Sequence, residues 1–261
     1  MKKLLIFLLA TLALSACEQP VVDENPNIPM PPNNEIWYTS SVNDVVIPND
    51  ANVFGANIIS NTYNNGKGVI TFDGEVTTIG SQAFYDHYRL TSVNIPDSVT
   101  AIGKRAFMCC TSLTSVTIGD SVTTIGNEAF SNCIDMTSVN IPDSVTEIGD
   151  EAFFECDSLT SVTIGNSVTT IGDHAFAYCD ILKSVNIPDS VTAIGDSAFY
   201  ACRSLTSVYC KATTPPSLGG TFVFGYNGSG FKIYVPAGSV KAYKSAEYWS
   251  EDAWRIVGYN F

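Results

Sequence analysis

The chain has 261 residues, 45% hydrophobic and only 15% charged, with a formal net charge of −13 at pH 7. That length fits one large domain or two small ones, and scarce charge beside plentiful Ser, Thr, Asn and Gly suits strands and turns better than helices. The acidic balance repels phosphate backbones, which excludes nucleic acid as a partner.

The opening segment, MKKLLIFLLATLALSAC, joins a basic start to an apolar run from Leu4 to Leu14 and ends on small residues at Cys17. The run is shorter than the ~20 residues that span a bilayer, so residues 1–16 read as an export signal. The ending LSAC resembles a bacterial lipobox, which implies cleavage before Cys17 and an acyl anchor on that residue; several acyl chains make such anchoring stable. Loss of Lys2 and Lys3 with the signal moves the net charge from −13 to −15. Residues 17–35 hold five prolines, several acids and no aromatic residue, the composition of an extended linker that cannot build a core.

Residues 36–73 carry aromatics and lack the period that follows; NNGKG at 64–68 reads as a tight hairpin turn between two strands. Residues 74–210 then repeat every 23 residues. One column holds Phe84, Phe107, Phe130, Phe153, Phe176 and Phe199; another holds Ile79, Ile102, Ile125, Ile148, Ile171 and Ile194, each followed by Gly. A fixed period in the twenties marks a solenoid, and 23 falls within the leucine-rich range. In LTSVNIP, Val93 and Ile95 alternate with Ser92 and Asn94, as a strand with one buried face should. The expected fold is therefore a mainly β solenoid of about six 23-residue turns, roughly 25–30 Å long at the usual strand spacing. SVTTIG reads as a second, shorter strand, and the Ala-Phe segment as one helical turn. Each Gly is expected either to take a conformation closed to other residues or to let backbones approach closely. Pro96, Gly119, Pro142, Gly165 and Pro188 alternate, so the copied unit is two turns, 46 residues.

TTPPSLGG ends the pattern, and residues 211–261 supply Trp249, Trp254 and several Tyr; SVKAYKSAEYW reads as a short helix. Both irregular ends are expected to cap the stack, since a bare terminal turn exposes core and strand edges. An aromatic binding patch is the competing reading of these ends.

NIPDSVTAIGDSAFYACRSLTSV resembles the BspA-like leucine-rich repeat found in surface proteins of Bacteroides, treponemes and some protists, with its Leu, Val, Ile, Pro, Ile-Gly, Ala-Phe and Cys positions filled. The final segment, IYVPAGSVKAYKSAEYWSEDAWRIVGY, is similar to the end segment of Bacteroides members. The resemblance implies a non-enzymatic, adhesin-like outer-membrane lipoprotein that recognises host extracellular matrix or cell-surface proteins. A periplasm-facing location, a structural spacer and a carbohydrate-binding module are the alternatives. Because the resemblance points to Bacteroides, DSV also resembles the O-glycosylation motif of that phylum, on Ser98, Ser121, Ser144 and Ser190.

Chemistry finds little purchase. Cys110, Cys133, Cys156, Cys179 and Cys202 form a ladder headed by His87, spread along a line rather than converging on a metal, so no metal or cofactor is expected. Disulfides between turns stay open, with Cys109 as an odd partner for Cys110. Only His87 and His174 could serve a triad, and no nucleophile elbow, phosphate loop or dinucleotide fingerprint occurs, so no catalytic residue is named. Asp97, Asp120, Asp143, Asn166 and Asp189 read as turn residues bonding their own backbone, with calcium bridging as the sharper reading.

The outward strand residues are the candidate binding surface: Ser92, Asn94, Ser115, Thr117, Ser138, Asn140, Ser161, Thr163, Ser184 and Asn186. Such a hydroxyl and amide lattice suits an extended or repeated partner held by many weak contacts. Aromatic and basic variation falls instead on loops, at Tyr85, Tyr88, Arg89, Lys104, Arg105, Tyr178, Tyr200 and Arg203.

Overall fold

A computed structural model describes residues 29–261. The export signal, Cys17 and most of the 17–35 linker lie outside the described residues.

Three strands precede the repeats: β1 (Glu35–Ser40), β2 (Ile58–Asn64) and β3 (Lys67–Phe72), in the order β2-β3-β1. The β2–β3 hairpin turns at Asn65 and Gly66, whose φ values of 52° and 80° give the two left-handed residues that a two-residue hairpin loop requires. The free edge of β1 pairs antiparallel with the first repeat strand, Leu90–Asn94, setting Trp37 opposite Asn94. The solenoid therefore begins against a paired edge.

The repeats form a β solenoid. Short strands at Thr78–Ile79, Ala101–Ile102, Thr124–Ile125, Glu147–Ile148, Thr170–Ile171, Ala193–Ile194 and Ser217–Leu218 stack in parallel into one seven-stranded sheet. The seventh rung, at Ser217, falls out of the 23-residue count because the chain lengthens just before it. Inside, the Phe rings stack face to face from Phe84 to Phe199, with centroids 5.1–5.4 Å apart and interplanar angles of 2–7°. Phe224 extends the column at 5.8 Å, and Phe54 meets Phe84 edge-on at 5.9 Å. One apolar core thus runs from end to end. At its C-terminal end, Tyr243 on the short helix α1 (Val240–Ser245) and Trp249 are buried, with Trp249 5.6 Å from Phe224. Their polar tips are satisfied: Tyr243 Oη donates to the Ala212 carbonyl at 2.7 Å and Trp249 Nε1 to that of Pro216 at 2.7 Å.

The Ala-Phe segments correct the expectation of a helical turn. They are runs of tight turns in which alternate amides reach the next repeat: Gln82 N–H donates to the Lys104 carbonyl, Phe84 to Ala106 and Asp86 to Met108. A helix would keep those donors within one segment, whereas the stack needs them aimed along its axis. The geometry places left-handed residues before Ala and before Cys, such as Glu128 (φ 58°) and Asn132 (φ 60°). The glycine after each Ile carries no positive φ and is there for close approach. At Gly126 a Cβ would meet the backbone of Gly103 and Lys104 at 2.9 Å.

The two-turn unit has a packing cause. A Cβ on Gly119 would stand 2.5 Å from the Pro96 carbonyl oxygen, so a Gly turn can settle against the Pro turn before it. The long strands pair accordingly. Leu90–Asn94 pairs with Ser115–Thr117, and Ser138–Asn140 with Ser161–Thr163. Ser184–Ile187 pairs with Ser207–Cys210, which continues through Lys232–Pro236 to Ile256–Tyr259. Strand pairing lapses after each Gly strand, where the chain is held by threonines, for example Thr137 N–H to the Thr114 carbonyl at 3.1 Å.

Candidate functional site

All ten predicted surface residues lie on the outward side of the long strands, between buried neighbours such as Val93, Val139 and Val185. Two columns run along the stack. One carries Ser92 beside Ser115, Ser138 beside Ser161, and Ser184 beside Ser207; the other carries Asn94 beside Thr117, Asn140 beside Thr163, and Asn186 beside Tyr209.

The structure gathers some of these residues and leaves others apart. Asn140, Ser161, Thr163, Ser184 and Asn186 line a groove of about 660 Å³ along the stack, joined by Asp120, Asp143, Asn166 and Lys211. Ser92 and Asn94 line a separate concavity of about 340 Å³ with Trp37, Thr39 and Lys67. Ser115, Thr117 and Ser138 line neither.

Sequence reasoning offered an aromatic patch at these ends only as the alternative to capping, and left Trp37 and Tyr234 unnamed. At one end Trp37 holds the Lys67 ammonium 2.9 Å from its ring centre and donates through Nε1 to Glu35 at 2.6 Å. At the other, Tyr209 stacks on Tyr234 at 4.8 Å, and Tyr259 packs edge-on against both. The strand register reveals them: Trp37 faces Asn94, and Tyr234 continues the Asn186–Tyr209 column. Tyr209 kept the 23-residue period, in step with Asn186, whereas Trp37 and Tyr234 showed only as the alternation in EIWYTS and KIYVP, outside it.

In the Asp column, Asp97 and Asp143 bind the backbone of the next turn. Asp97 Oδ1 accepts from the Asp120 amide at 3.0 Å and Asp143 Oδ1 from the Asn166 amide at 2.7 Å, one turn later in each case. The Ser residues of DSV divide by turn type. Ser98, Ser144 and Ser190, in Pro turns, donate to the Val76, Val122 and Val168 carbonyls at 2.7 Å; Ser121, in a Gly turn, is exposed. Among the described residues, no group of three or more His, Cys, Asp or Glu is arranged to hold a metal ion.

All seven described cysteines are free thiols. In the ladder each Sγ donates to the Phe carbonyl of the turn before, from Cys110 to Phe84 at 2.9 Å through Cys202 to Phe176 at 3.1 Å. Burial pushes the Cys110, Cys156 and Cys202 thiols up to about 12, far from a nucleophile's range. His87, at the head of the column, is half-buried, and burial lowers its pKa. On the loop side, Arg105 grips Glu128 through Nε at 2.7 Å and Nη2 at 3.0 Å, which holds that carboxyl below its usual range. Tyr178 and Tyr200 pack edge-on at 5.7 Å, and Arg203 pairs with Asp180 at 2.7 Å.

The sequence profile of the BspA type leucine rich repeat region matches residues 32–154 and 123–223, in 6 copies. Among solved structures, a leucine-rich repeat protein from Bacteroides ovatus shares 25% identity, over 69% of this chain and 62% of its own, with a TM-score of 0.38. This chain thus spans less than two thirds of that protein's length. The T. pallidum leucine rich repeat protein shares 22% identity over 73% of this chain and 81% of its own, at a TM-score of 0.42. A leucine rich cell surface protein from Faecalibacterium prausnitzii shares 24% over 70% and 72%, at 0.34. No curated protein matches the chain significantly.

Proposed function

Because the chain belongs to the BspA-type leucine-rich repeat family, we propose that it is a non-enzymatic, adhesin-like binding protein of the cell surface. In this reading it is held to the outer membrane through an acylated Cys17 and recognises host matrix proteins or other cells. The observation that carries the reading is the outward sheet face: two columns of Ser, Asn and Thr side chains, closed at one end by Trp37 and at the other by Tyr209 and Tyr234. Aromatic side chains are the usual anchors of protein interfaces, and a polar lattice between them multiplies weak contacts along a large partner. Binding rather than catalysis also fits the chemistry, since the ladder thiols are buried and hydrogen-bonded to backbone.

A spacer role is the second reading, favoured by the Pro-then-Gly packing rule, which lets whole two-turn units be added without altering an interface. Saturable binding to a matrix protein separates the two, and proteinase treatment of intact cells, with a lysed control, comes first because it tests the surface location. Digestion before lysis supports the surface reading and directs a screen of matrix proteins. Protection until lysis overturns it.

A further inference from the structure

The groove over the second half of the sheet face has the chemistry and the step of a polysaccharide track. It follows the stack from Asp120 to Lys211, and hydroxyls, amides and carboxylates line most of it. Asn186 contributes a buried Oδ1 with no hydrogen-bond partner, an acceptor awaiting a donor. Successive turns stand 5.1–5.4 Å apart along the Phe column, and about 4.8 Å apart where their long strands are hydrogen-bonded. We propose that this groove binds a neutral, unbranched β-1,4-linked hexose polymer laid parallel to the stack, one sugar to a turn. The proposal rests on the reading of this face as the binding surface and names its ligand class.

Three competing ligands fit less well. An extended peptide rises about 3.3 Å per residue, so side chains on one side recur every ~6.6 Å and drift by more than ~1 Å at each turn. An α-helix has a pitch near 5.4 Å, but helices dock by an apolar stripe into an apolar groove, and this groove offers Ser, Asn and Asp. Polyanionic chains meet Asp120 and Asp143 on a protein of net charge −13.

A pyranose ring in an extended β-linked chain advances by about one turn of the stack. Each of its hydroxyls can donate and accept, matching Asn amides, Ser hydroxyls and Asp carboxylates. A β-1,4 linkage turns each ring over relative to the last, so the polymer repeats every two sugars. The lattice likewise repeats every two turns, with Asn140, Thr163 and Asn186 in succession. A sugar hydroxyl donating to Asn186 would satisfy its open acceptor.

The test is calorimetric titration of the purified full chain with cello-, N-acetylchito- and β-1,4-manno-oligosaccharides, from disaccharide to hexasaccharide, with a heparin hexasaccharide as the anionic probe. At least one neutral series is expected to bind, tightening about tenfold or more with length until the chain outgrows the groove. Asn186→Ala should weaken the hexasaccharide by about tenfold without moving the thermal midpoint. Should that variant fail to fold, the exposed Asn140→Ala gives the same reading. No binding of any neutral hexasaccharide, preference for heparin, affinity independent of length, or parental affinity in both variants overturns the proposal. The measurement uses purified protein, so its failure is distinct from proteinase protection on cells, which overturns the surface reading instead.

Discussion

Gly119 and Pro96 stand one turn apart with no room between them for a methyl group: a Cβ on Gly119 would meet the Pro96 carbonyl oxygen at 2.5 Å and its carbon at 2.7 Å. Both are backbone atoms, so the conflict cannot be relieved by a side chain moving aside. Gly119→Ala should cost about 1–3 kcal/mol in urea unfolding. Gly238→Ala, with nothing within 4 Å and no positive φ, should stay within ~0.5 kcal/mol of the parent. Equal losses in the two variants would refute the packing rule.

The same contact makes the larger of two deletions the milder. Removing residues 120–165 joins Gly119 to Asn166 and keeps Gly turns seated on Pro turns. Removing 120–142 places one Gly turn directly on another. Thermal melting should show a cooperative, modestly lowered midpoint for the 46-residue deletion and a lower or broader one for the 23-residue deletion. The reverse order would mean that the alternation does no packing work.

Phe130 lies between Phe107 and Phe153, its centroid 5.1 and 5.3 Å from theirs, and is fully buried. Phe130→Ala removes the ring from a column closed on both sides, at a cost of about 3–5 kcal/mol. An unchanged melting midpoint would contradict the stacked core.

Thiol reactivity follows burial. At pH 8 an alkylating reagent should leave Cys110, Cys133, Cys156, Cys179, Cys202 and Cys210 unmodified in the native chain, because all six are buried and their pKa values are raised by that burial. In denaturant all six should react. Peptide mapping by mass reads the result; rapid native labelling within the ladder would show that it opens locally.

Glu128 gives stability a pH dependence of known sign. The Arg105 guanidinium holds its carboxyl below the usual range. A depressed folded pKa contributes stability above the unfolded value, about 4.3, and that contribution is lost as pH falls through the folded value. The Arg105 side chain is 39% exposed, so solvent screens the pair and keeps its contribution small. Glu128→Gln should therefore unfold more easily than the parent at pH 7, and the gap should close as acid takes the carboxyl through its depressed folded value. A gap that persists in acid would assign the loss to packing.

The columns of Ile, Phe and Val were legible in the sequence because each fills the same buried place in every turn, and spacing alone reveals them. The left-handed residues were not, because Glu128 is a side chain that rarely signals a positive φ and the place of Asn132 is taken in other turns by Cys109, Glu155, Tyr178 and Ala201. Nor were the partners of Asp97 and Asp143, which lie one turn away in space and 23 residues away in sequence, beyond reach of local turn rules. An aromatic patch could not be told from a cap at these ends for a related reason. Trp37 reaches the face on an antiparallel strand and Tyr234 comes after the period has lengthened, so no fixed spacing links either to Asn94 or Asn186.

The chain has 3 tryptophans, and none lies in the repeats: Trp37 sits on β1, and Trp249 and Trp254 lie beyond the last rung. Tryptophan fluorescence, excited beyond the absorption of tyrosine, therefore reports on the ends of the rod and is silent about its middle. In a stack where each turn leans only on its neighbours, unravelling from a terminus would dim or shift that emission first, while backbone dichroism, dominated by the interior turns, lagged behind. Coincidence of the two signals would show that the continuous Phe column makes the ends and the middle give way together.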